Sequence, residues 1–123
     1  MSVVTNVMLS FSIGEEDYEA GDGWGHPIVD EINKLLVNDH HGKLVNVARF
    51  AGGEKHMETD VYMGAFNIFD TKQFITYVNM MNWTEPEHVQ VFVQEQEEYS
   101  FTEMKVYKGT GGDVSKIGDW GNQ

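Results

Sequence analysis

Apolar and polar positions alternate most regularly near the amino terminus. Val3, Thr5, Val7, Leu9, Phe11 and Ile13 fall on one face, with Asn6, Ser10 and Ser12 on the other. A period of two predicts a half-buried strand. After Pro27 the period changes: Ile28, Ile32, Leu35 and Leu36 recur at helical spacing, with Asp30 and Glu31 near the positive end of the helix dipole. Pro27 suits the first helical position, where its missing N–H would have no intrahelical partner, and Asn38 to Gly42 closes the helix. Leu44–Phe50 reads as a second strand and Asp60–Phe69 as a third, joined as a hairpin across a loop that contains Gly52-Gly53.

The second helix carries the clearest local signal. Asp70 is placed to cap it, Gln73 to complete a capping box, and Phe69 and Phe74 to form a hydrophobic staple. Phe74, Tyr77, Val78 and Met81 supply its buried stripe, and the Asn82–Pro86 segment stops it, since Pro86 cannot continue a helix. Val89, Val91 and Val93 mark a fourth strand, Glu95–Glu98 a turn, and Tyr99–Tyr107 a fifth strand paired to the fourth.

The resulting order is strand, helix, strand, strand, helix, strand, plus one C-terminal strand. This predicts an α+β fold of the ferredoxin-like split βαβ type, an antiparallel sheet with two helices on one face. The expected sheet order is 4-1-3-2, with the fifth strand beside the fourth. Residues 1–108 read as a single acidic domain. Residues 109–123, rich in glycine, read as a flexible tail.

Composition sharpens this in two ways. Among 123 residues there is no cysteine, which excludes disulfides, thiol nucleophiles and thiolate metal sites and fits a cytoplasmic location. Twenty acidic residues against eight basic ones give a net charge of −12. That field disfavours nucleic acid and anionic membrane as direct partners, and it favours a protein partner with a basic surface. Much of the acidity lies in Gly14–Gly25, a loop by composition, and in the turn near Glu97.

Candidate chemistry is sparse. His40 and His41 are adjacent and point in different directions, while His26, His56 and His88 show no metal-binding spacing. His56, Glu58 and Asp60 alternate and would share a strand face, but a solvated strand end accounts for them. Glu15, Glu16, Asp17, Glu19 and Asp22 do not match a calcium-loop register. Gly52-Gly53 with Lys55, and Gly111-Gly112 with Lys116, lack the phosphate-loop pattern, and there is no nucleophile elbow. No cofactor is expected, and no catalytic residue or metal ligand is assigned.

The stretch from Gly52 through Phe69 to Trp83 resembles small uncharacterised bacterial and phage proteins through its aromatic and glycine positions. The resemblance implies no catalytic residues and no activity.

The expected function is therefore a non-enzymatic acidic binding module, an inhibitor or regulator of the phage-encoded or immunity type. Glu15, Glu16, Asp17, Glu19 and Asp22 would steer it, and Trp24, Tyr99, Phe101 and Tyr107 would anchor it. An exposed edge strand suggests a homodimer. Two other classes stay open: a protein that sequesters a small molecule or nucleotide at an oligomer interface, and an enzyme with a dispersed acid/base site.

Overall fold

A computed structural model describes residues 4–15, 26–55 and 57–106. Its elements run β1 (Val4–Ser10), α1 (Pro27–Asn38), β2 (Val45–Asn46), β3 (Val61–Asn67), α2 (Thr71–Met80), β4 (Gln90–Gln94) and β5 (Thr102–Met104). The expected tail, 109–123, lies outside the described residues.

The strands form one antiparallel sheet in the order β2-β3-β1-β4-β5. Read from the other edge, this is the order 4-1-3-2 with β5 beside β4. Alternation along β1 buries Thr5, Val7 and Leu9. Their neighbours on the same face, Tyr62, Phe66, Val91 and Val93, are buried as well. They join Val29, Ile32 and Leu36 of α1 and Phe74, Ile75 and Val78 of α2 in one core, so both helices cover the same face of the sheet.

The helices begin as local chemistry dictates. Pro27 opens α1, and the Nδ1 of buried His26 accepts from the Ile28 N–H at 3.2 Å, so His26 is the N-cap. Asp70 caps α2 through the Gln73 N–H at 3.0 Å. The rings of Phe69 and Phe74 lie 5.6 Å apart, completing the staple. The Asp70 N–H makes no hydrogen bond to the Gln73 side chain, so the expected capping box is not completed. Asn33 ties α1 to the entry of β2, donating to the Leu44 carbonyl at 3.1 Å and accepting from its N–H at 2.9 Å.

Four strands are shorter than expected: β1 ends at Ser10, and Ile13, expected on its buried face, lies beyond it and is exposed. β2 stops after two residues because the Asn46 side chain accepts from the Ala48 N–H at 2.8 Å, turning the chain into a short 3-10 segment, Ala48–Phe50. β3 ends at Asn67, where Ile68 takes a left-handed φ of 52°. β5 begins only at Thr102, so Tyr99 and Phe101 lie outside the ladder rather than on a strand face.

The second face of the sheet carries neither helix. Cross-strand register aligns one row across all five strands: Val45, Met63, Met8, Phe92 and Glu103. Asn6 and Gln94 lie beside it, joined by a hydrogen bond of 3.1 Å.

Candidate functional site

The loop leaving β1 departs most from expectation. Glu15 was expected to be an exposed acid of a steering loop, yet it is buried. Its carboxylate accepts from the backbone N–H groups of Thr84 and Glu85, at 3.1 and 2.7 Å, and so clamps the exit of β1 to the segment between α2 and β4. Glu85 returns the contact by accepting from the Ser12 hydroxyl. The Glu85 carboxylate also lies close over Gly14, where a Cβ would lie 2.8 Å from its Oε2. Glu15 is thus engaged within the fold and is not offered to a partner. Glu16, Asp17, Glu19, Asp22, Trp24 and Tyr107, the remaining loop acids and two of the anchors, lie outside the described residues.

Tyr99 and Phe101 are described, and both are exposed. They follow the β4–β5 turn, which is held from several sides. The Glu98 carboxylate accepts from the Glu95 N–H at 2.8 Å, and the Glu98 carbonyl accepts from the Gln94 side chain at 3.0 Å. Glu95 itself accepts from the hydroxyls of Thr5 and Thr71, at 2.8 and 3.2 Å, joining the turn to β1 and to the first residue of α2. The Val4 N–H donates to the Gln96 side chain at 2.7 Å. A braced turn therefore presents a fully exposed tyrosine among Glu95, Glu97 and Glu98. Glu97 stands at a left-handed φ of 76°.

A second feature was not foreseen. The C-terminal end of α1 and the N-terminal end of α2 enclose an open cleft of about 410 Å³ lined by Leu36, Asp39, His41, Phe69, Asp70, Gln73, Phe74 and Tyr77. The Tyr77 hydroxyl donates to Asp39 at 2.5 Å. That hydrogen bond, with burial added, raises the pKa of the phenol above its ordinary value and keeps it neutral. The His41 ring meets Phe69 edge-on at 5.0 Å, and Phe69 stacks on Phe66 at 4.6 Å. Tyr77 reads in sequence as one more stripe residue; the only hint of a polar role is that a buried tyrosine needs a partner for its hydroxyl.

Other sequence candidates do not converge. His56 lies outside the described residues, and Asp60 accepts from the Asn46 side chain at 3.2 Å. Among the described residues no three metal-ligating side chains cluster. Gly53 and Lys55 line only a shallow surface hollow with Ala51 and Glu54. Among the described residues no helix is long and apolar enough to cross a membrane. Comparison with protein-family models, with curated proteins and with solved structures finds no match to this chain.

Proposed function

We propose that this chain is a non-enzymatic acidic binding module that docks on a basic protein surface through its β4–β5 hairpin. The observation that carries the reading is the braced turn that holds Tyr99 fully exposed among glutamates. Tyrosine offers a large, amphipathic contact area with few rotatable bonds, so little entropy is lost on docking. The bracing hydrogen bonds lower the cost further, since the turn is ordered before the partner arrives. The net charge of −12 adds long-range steering toward a positive surface. The loop acids after Glu15 and the anchors Trp24 and Tyr107 belong to the same proposal. The order of elements supports placing the domain in the ferredoxin-like split βαβ class, with β5 as an appended strand, and the lack of cysteine supports a cytoplasmic setting.

The test is a pull-down from host lysate at increasing salt, with wild type and Tyr99→Ala side by side. The expected result is a basic partner retained at low ionic strength, released by salt, and retained at least about tenfold less by Tyr99→Ala, as for a central aromatic anchor. No partner at low salt, or one indifferent to both salt and Tyr99, overturns the proposal.

The cleft at Tyr77 favours a second reading, sequestration of a small molecule, because its volume and mixed aromatic and carboxylate lining suit a small ligand. Native mass spectrometry of freshly purified protein separates the two readings through a retained ligand mass.

A further inference from the structure

The face of the sheet opposite α1 and α2 has the anatomy of an interface. Its central row, Val45–Met63–Met8–Phe92, is apolar and runs unbroken from the β2 edge to Glu103 on β5. Met8, Met63 and Phe92 are only half-buried, and Val45 is exposed. Flanking the row are amides already tied down: Asn6 donates to Gln94, and Gln90 donates to Glu103 at 3.2 Å. Apolar residues rich in methionine and phenylalanine, flanked by amides and with Glu103 at one end, are the composition of a protein–protein contact.

Charge identifies the occupant. The strands β1, β3 and β4 carry no charged residue, in a chain of net charge −12. A basic partner would gain nothing from a neutral face. Two copies of a strongly acidic chain repel each other wherever acids meet, and this face lets them touch without bringing acids together. The size suits a weak, reversible dimer. The 24 strand residues, at about 3.3 Å along a strand and about 4.8 Å between strands, present on the order of 400 Å² of face, so pairing two copies removes about 800 Å², in the range of transient contacts.

We infer that this chain forms a homodimer by face-to-face packing of the two sheets across the Met8 row. A two-fold axis along β1 sets Met8 near the second copy's Met8 and Met63 against its Phe92, and it keeps the two Glu103 side chains apart. This inference deepens the reading of the chain as a binding module, but it uses a different surface and has the opposite salt dependence. Salt screens the repulsion between like-charged copies and tightens the dimer, whereas it weakens docking on a basic partner. The two proposals therefore fail separately.

Sedimentation equilibrium of the full chain at about 0.02 M and about 0.3 M salt tests it. The expected result is a dimer that strengthens with salt, weakened at least tenfold by Met8→Lys and unchanged by Tyr99→Ala. Because the native chain has no cysteine, Met8→Cys gives an independent readout: mild oxidation should yield a covalent dimer, whereas Lys34→Cys, exposed on α1 on the other side of the sheet, should not. A chain that stays monomeric at both salts, or a dimer unaffected by Met8→Lys whose Met8→Cys form does not cross-link, overturns the inference.

Discussion

Glu15 and Tyr77 illustrate how single side chains serve this fold. The Glu15 carboxylate is buried, and its compensation is two backbone N–H donors some 70 residues away in sequence. Hydrogen bonds to a charged group contribute about 1.5–3 kcal/mol. Glu15→Ala is therefore expected to lower stability by about 2 kcal/mol, with a smaller loss for Glu15→Gln, which keeps one acceptor; urea unfolding of the three proteins measures both. Tyr77 gives a pH signature. Its folded pKa is raised, so the folded state favours the neutral phenol. The associated stability is fully present below the ordinary tyrosine pKa of about 10 and is lost as pH rises through the folded value. Thermal melts of wild type should fall across that alkaline window. Tyr77→Phe should lack that component of the fall, while being less stable at neutral pH for want of the bond to Asp39.

At the scale of elements, β3 is the most constrained strand. It lies between β1 and β2, and its Gly64 sits opposite Val7 on the helix face. A Cβ at Gly64 would lie 2.5 Å from the Phe66 ring and 3.4 Å from Leu44. Phe66 cannot easily yield, because it is buried and stacked on Phe69. Overpacking of this kind costs about 1–3 kcal/mol. Gly64→Ala should therefore destabilise the protein by that amount, although alanine favours strands more than glycine does; chemical denaturation checks it. The strand then ends on Ile68, whose left-handed φ is unfavourable for a β-branched residue. That turn brings Phe69 back onto Phe66 and Phe74, and so into the staple of α2.

For the whole molecule, acidity is the governing property. Among the described residues, charges lie on helix surfaces, loops and turns and at Glu103 of the edge strand β5, while the three central strands have none. Self-repulsion at a net charge of −12 opposes the compact state, and salt screens it over a Debye length that shrinks from about 30 Å at 0.01 M to about 8 Å at 0.15 M. The melting temperature should therefore rise with sodium chloride across this range. A melting temperature that falls with salt would mean that specific ion pairs outweigh the net field. Lys34 with Glu31 is a solvent-exposed pair of the kind that contributes little.

How much of this was legible in advance follows the range of each interaction. The alternation around Val7 and Leu9, the helical spacing after Pro27, the Asp70 cap and the Phe69–Phe74 staple are encoded within a few residues, because strand period, helix period and capping depend on adjacent backbone. From those, the sequence by itself determined the order of elements and the two helices, and the general handedness of crossovers, applied to that order, supplied the sheet order. Tertiary structure alone decided the rest. Whether Glu15 is exposed depends on donors that only the packing of the segment after α2 brings near. The partnership of Tyr77 with Asp39 depends on how α1 and α2 meet, and the bracing of the Tyr99 turn relies on Thr5, 90 residues from Glu95. The row from Val45 to Glu103 exists only once four strand registers are set together. Local pattern specifies which face of a strand is buried; which residues become neighbours across that face is specified by pairings that no local period records.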